Sequence, residues 1–130
     1  MKISMVLPVL LLALPALAQD TSPEALIGIY SAEAGVAPSP ADGKALFMAT
    51  HGGGKPDTPS CTTCHTANPT AGGEARTGKP IEPLAPGANP KRFTDTAFVE
   101  KWFGRNCNSV LGRDCSAKEK ADIISWLMSL

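Results

Sequence analysis

The sequence carries no excess of charge, because twelve basic and twelve acidic residues balance over 130 positions. It has no basic run, no interleaving of aromatic with basic residues and no Gly-rich turn joining a strand to a helix. A nucleic acid or a nucleotide phosphate therefore finds no recognition surface in it. No segment repeats, which removes solenoids and propellers. No stretch makes a convincing strand. Histidine is down to two residues, His51 and His65, and cysteine to four. That scarcity makes the position of each one informative.

Three of those six residues fall within five positions, Cys61-Thr62-Thr63-Cys64-His65. Cys-x-x-Cys-His is the attachment signature of a c-type haem. Two thiols three positions apart on a helical turn can each add to one haem vinyl group, and His65 is then carried under the iron as proximal ligand. A thioredoxin-like redox pair wants a preceding buried strand, but Gly52-Gly53-Gly54-Lys55-Pro56-Asp57 lies upstream. A structural zinc site wants a second close cysteine pair, whereas Cys107 and Cys115 stand eight positions apart. One covalent haem c is the expected cofactor.

The N-terminus points to export. Lys2 precedes an apolar run from Val6 to Leu17, interrupted by Pro8 and Pro15 and ending in Ala16-Leu17-Ala18. This reads as a cleaved signal peptide over residues 1–18, followed by one domain over 19–130; the run is too short and too proline-broken for a membrane anchor. A periplasmic location follows, with an oxidising environment that permits a disulfide. A domain of this size sits near the lower end of what a single core supports, and the haem is expected to supply part of that core.

Helix signals bracket the haem motif. Ser22-Pro23 starts a segment Glu24 to Glu33 stopped by Gly35, and Ser39-Pro40 leads into Ala41 to Ala49. Residues 68–90 are rich in Pro, Gly, Ala and Thr and read as a long loop. A third helix is expected from about Thr94 to Arg105, with Phe98, Trp102 and Phe103 on its inner face. The last follows the capping box Ser116-Ala117-Lys118-Glu119 and runs through Trp126 and Leu127. The fold class is all-α, with four to five helices around one haem. The helix bearing Gly43-x-x-Leu46-Phe47 and the aromatic C-terminal helix resemble the crossed terminal helices of class I cytochromes c.

The second axial ligand is less obvious. Met48 lies in a helix, Met128 stands near the C-terminus, and His51 reads as a solvated loop residue. None is placed to swing over the distal face. Between the last two helices lies a polar segment from Gly104 to Cys115. In an exported chain whose other thiols hold haem, Cys107 and Cys115 are left to pair with each other. Such a ring is worth roughly 2–3 kcal/mol. Its role is either to tighten a small domain or to place the neighbouring Asn106, and free thiols remain a third option.

Pro59-Ser60-Cys61-Thr62-Thr63-Cys64-His65, Gly104-Arg105-Asn106-Cys107-Asn108 and Gly112-Arg113-Asp114-Cys115 together resemble the sphaeroides haem protein family. The resemblance extends over the mature chain, including Lys55-Pro56-Asp57-Thr58 and Arg76-Thr77-Gly78-Lys79. It implies a class I-like monohaem cytochrome c in which an asparagine ligates the oxidised iron. Here that residue is Asn106, beside a disulfide between Cys107 and Cys115. The related cytochrome c″ proteins use a histidine at the matching place.

An amide is a weak ligand, tolerable for Fe(III) and poorer for the softer Fe(II). The resemblance therefore implies that Asn106 leaves on reduction, opening the iron to O2, NO or CO, with a dihaem cytochrome c and a membrane cytochrome b as electron donors. The alternatives are a plain electron carrier and an enzyme that oxidises NO. No catalytic acid–base pair stands near Asn106, so a non-enzymatic role is favoured. Arg76, Lys79, Arg92 and Arg105 are candidates for the haem propionates. With no heptad or long apolar edge, a monomer is expected.

Overall fold

A computed structural model describes residues 19–130; the leader expected over 1–18 lies outside the described residues. Five helices appear in the order α1 (Pro23–Ala34), α2 (Pro40–Met48), α3 (Thr62–His65), α4 (Thr96–Leu111) and α5 (Ala117–Met128). Their boundaries follow local chemistry. Ser22 accepts a hydrogen bond from the Ala25 amide, Ser39 from Asp42 and Asp95 from Phe98, so each helix start has one of its free N–H groups satisfied. Pro23 and Pro40 occupy first-turn positions where no donor is needed. Gly35 and Gly112 end α1 and α4 in the left-handed region, at φ 67° and 73°. The capping box of α5 forms in both directions between Ser116 and Glu119.

The C-terminal helix α5 is the hub, packing against both α1 and α2. On one side Leu26 and Tyr30 of α1 meet Val99 of α4 and Ala121 and Ile124 of α5. On the other, Phe47 of α2 meets Ile123, Trp126 and Leu127. The α2 and α5 backbones touch at Gly43, where a Cβ would stand 2.1 Å from the Asp122 carbonyl oxygen. Asp122 itself is only 2% exposed, with its carboxylate accepting from the Ser39 amide and the Lys118 ammonium. These bonds compensate its burial. Among the described residues no helix is long and apolar enough to cross a membrane.

Three expectations are corrected. The 68–90 segment is not wholly irregular, since β1 (Gly73–Glu74) pairs antiparallel with β2 (Pro80–Ile81). The third helix does not stop at Arg105 but continues through Gly104 to Leu111. Val99, Phe103, Cys107 and Val110 form one apolar stripe at helical spacing, and burying it outweighs the cost of one glycine inside the helix. Phe98 and Trp102 do not belong to that stripe. They pack in neither core cluster and line a cleft.

Candidate haem site

The cleft is half open to solvent and lined mainly by apolar side chains, a character suited to a large organic cofactor. Its floor comes from α2 and α5 through Leu46, Phe47, Ile123 and Leu127, its one wall from the Cys61–His65 turn and its other from α4. The turn is anchored by Ser60, which is buried. Its hydroxyl donates to the Phe47 carbonyl at 3.3 Å and accepts from the Thr62 amide and hydroxyl. Behind the turn, β1 approaches so closely that a Cβ on Gly73 would lie 2.0 Å from the Cys64 carbonyl oxygen. The motif is thus gripped by α2 on one flank and the hairpin on the other.

Cys61 and Cys64 are both half-buried free thiols facing the cleft. Burial pushes the Cys61 thiol up to about 11, the Cys64 sulfur adding a smaller push in the same direction. His65 lines the same cleft, with its ring 6.1 Å from that of Phe47. Burial, aided by the nearby Arg92 charge, lowers its pKa to about 4. The imidazole is therefore neutral near pH 7 and keeps a lone pair for a metal. Among the described residues no group of three or more His, Cys, Asp or Glu side chains converges on a point. What the cleft offers is two thiols, one imidazole and one carboxamide among apolar side chains, a set that suits a metal bringing its own macrocycle.

The opposite wall carries Phe98, Trp102 and Asn106 at i, i+4 and i+8 along α4, one face of a helix. The other polar side chains lining the cleft are already engaged. Thr58 donates to the Ser109 carbonyl at 3.0 Å and lies 2.8 Å from its hydroxyl, while Arg92 donates to the Pro83 and Glu82 carbonyls. Asn108, next but one, gives its amide to Gly104 and Asp114. The Asn106 carboxamide makes no side-chain hydrogen bond to any described residue and faces the cleft. Cys107, adjacent to it, is joined to Cys115 with Cα atoms 5.6 Å apart, a spacing ordinary for a disulfide.

The other ligand candidates lie elsewhere. Met48 packs against the Phe47 cluster and Met128 against the Leu26 cluster, and neither lines the cleft. His51 is half-buried, not solvated, and its Nε2 stands 2.9 Å from the Leu46 carbonyl. A carbonyl only accepts, so that nitrogen carries the proton and serves the end of α2. Of the basic candidates, Arg92 lines the main cleft, Arg76 and Arg105 line a second recess beside Asn106, and Lys79 lines neither. The α4 wall was hidden in the sequence because Phe98 and Trp102 read as core. Their common spacing with Asn106 was the available signal.

Comparison with known proteins agrees with this geometry. Residues 33–127 match a family described as a domain of unknown function, DUF1924. The chain is 64% identical over 116 residues to the cytochrome c-type protein SHP of Cereibacter sphaeroides, covering 89% of this chain and 90% of that one. It is 41% identical to cytochrome c″ of Methylophilus methylotrophus over 138 residues, 99% and 96% of the two chains. The fold superposes on oxidised SHP, described as an oxygen-binding cytochrome c, with TM-score 0.83 at 61% identity, covering 85% of this chain and 99% of that one. On oxidised cytochrome c″ the TM-score is 0.72, with 82% and 93% covered. Cytochromes c hold haem c covalently, and the cleft is built from residues that fit it. The chain belongs to the SHP family of cytochromes, as a haem c protein of all-α fold.

Proposed function

We propose that this protein is an exported monohaem cytochrome c that binds a small diatomic ligand under the control of its oxidation state. Cys61 and Cys64 supply the two thioether sulfurs, His65 is the proximal iron ligand and Asn106 the distal ligand of the oxidised state. When bound, the haem supplies a one-electron couple and, once reduced, a coordination position for O2, NO or CO. The protein's part is to fix one donor and leave the other weak. His65 is held by the Ser60 and Gly73 contacts around its turn, so it stays in place. Asn106 offers a neutral amide, a poor partner for the softer ferrous ion.

The observation that carries this reading is the composition of the cleft. It contains His65 and an amide with no hydrogen-bond partner among the described residues, while both described methionines and the second histidine are engaged elsewhere. A permanently low-spin carrier needs a strong distal donor, and among the described residues no methionine or second histidine lines the site. Oxygen binding by the SHP relative supports the same conclusion. The Cys107–Cys115 pair is proposed to form as a disulfide in the periplasm, after removal of residues 1–18, and to hold the α4 segment that bears Asn106. Electrons are proposed to come from a dihaem cytochrome c and a membrane cytochrome b, with the protein acting as a monomer.

The test is the optical and electron paramagnetic resonance spectrum of the purified protein in both oxidation states, with and without CO. A ferrous form that is high-spin and takes up CO at once supports release of Asn106. A ferrous form that is low-spin and indifferent to CO makes the protein a plain electron carrier. Sustained nitrate formation from NO and O2 over many cycles turns it into an enzyme.

A further inference from the structure

A second, open recess shares Thr58, Cys64, Asn106 and Ser109 with the cleft. Three separate segments supply one cation each to it: Lys55, Arg76 and Arg105. Each is positioned by a backbone contact or a stacking contact. The Gly53–Gly54 segment is pressed against the C-terminal turn of α4, where a Cβ on Gly54 would stand 2.2 Å from the Ser109 carbonyl oxygen, and the Lys55 amide donates to that same carbonyl at 2.8 Å. Arg76 sits in the turn of the β1–β2 hairpin and pairs with Asp57 at 2.7 Å. The Arg105 guanidinium lies 5.3 Å from the centre of the Trp102 ring and makes no ion pair with a described carboxylate. Among the described residues no carboxylate lines the recess and none pairs with Lys55 or Arg105, so two of its three cations are uncompensated.

We propose that this recess binds a small inorganic oxyanion of the sulfate or phosphate class, held by Arg105, Lys55 and Arg76 beside Asn106. Arg and Lys donors gathered at one recess, where the one neighbouring carboxylate, Asp57, is already paired with Arg76, are the chemistry of oxyanion recognition. The haem's own propionates are the competing source of negative charge. Cys64 lines the recess, so a haem attached through it would turn its thioether edge this way, whereas the propionates of a protoporphyrin-derived haem belong to the remote half of the ring. This step rests on the attachment through Cys61 and Cys64 proposed above. An anion in the recess would stand beside Asn106, which also lines the cleft, and would oppose the entry of a second anion there.

The test is calorimetric titration of the haem-loaded ferric protein with sodium sulfate, at ionic strength held constant with sodium chloride. Sulfate is a poor haem ligand, so the heat reports on the recess. One saturable site is expected, weakened about tenfold in each of Arg105→Gln and Lys55→Gln, the scale of one charge-assisted hydrogen bond, and largely kept in Arg105→Lys. In the wild type, sulfate is expected to slow cyanide binding to the ferric iron. Non-saturating heats that are equal in all variants overturn the proposal, since they report screening only. It is equally overturned if the Gln variants shift the reduction potential while sulfate uptake is absent, because the cations then serve the propionates. Covalent haem content of Cys64→Ser tests attachment separately, so a failure there is told apart from a failure of the anion site.

Discussion

Trp102 and Asn106 stand one turn apart on the same face of α4, and both line the cleft that His65 enters from the opposite wall. The apolar ring and the amide thereby share one surface, with the amide at the end nearer the Cys107–Cys115 link. In the proposed ferric state the amide oxygen is the only distal donor. Asn106→Ala is therefore expected to keep covalent haem and lose the native ferric spectrum, giving a high-spin or water-ligated form, while CO uptake by the ferrous protein is retained. Optical and paramagnetic resonance spectra of the purified variant check this. Loss of haem from it would contradict the assignment.

Joining Cys107 to Cys115 closes a short ring across the end of α4 and the start of α5. Replacing both by serine is expected to destabilise the protein by about 2–3 kcal/mol on the loop-entropy argument, read by urea unfolding of the ferric form. A second expected effect is a broadened distribution of ferric spin states, because Cys107 neighbours Asn106. A variant that loses stability but keeps a sharp, wild-type ferric spectrum assigns the link to tightening alone.

The helix starts were readable because capping is local: Ser22, Ser39 and Ser116 each act within three residues. The haem turn was readable because its chemistry needs a fixed spacing. The end of α4 was not. Gly104 and the polar residues around Asn106 suppress the local helix signal, and what overrides them is burial of Cys107 and Val110, a tertiary effect. The two-residue strands were too short to leave a period. The recess beside Asn106 was invisible for a different reason, since Lys55, Arg76 and Arg105 are brought together only by the close approaches at Gly54 and Gly73. Asn106 itself was singled out by family resemblance, not by any pattern in its neighbours.

Gly43 supplies a stability prediction away from the cleft. Its Cα hydrogen faces the Asp122–Ile123 backbone, and a methyl group there would meet the Asp122 carbonyl oxygen at 2.1 Å and the Ile123 nitrogen at 2.7 Å. Backbone atoms of a packed helix cannot swing aside as a flexible side chain can. Gly43→Ala must push α2 away from α5, at a cost of about 1–3 kcal/mol that outweighs the gain in helix propensity. A lowered midpoint of urea unfolding is expected. An unchanged midpoint would show that the two helices can separate without penalty.

Glu119 gives a pH dependence whose sign can be worked out. The Arg113 guanidinium donates to both of its oxygens at 2.8 Å, and the Ser116 amide donates to one of them. The Arg113 bonds, which outweigh the opposing effect of partial burial, hold the carboxyl below the usual range for a glutamate. A carboxyl with a lowered folded-state pKa binds fewer protons folded than unfolded at intermediate pH. Its stabilisation is full above the unfolded value and is lost as pH falls through the folded one. Glu119→Gln keeps a side chain able to serve the capping box but removes the charge. The variant should be less stable than wild type at pH 7 by under about 1 kcal/mol, since the Arg113 side of the ion pair is exposed and screened by solvent. The difference should shrink as pH falls through the acid range, measured by urea unfolding of the ferric protein at a series of pH values from neutral downward. A difference that persists unchanged at the acid end assigns the effect of Glu119 to hydrogen-bond geometry and not to its charge.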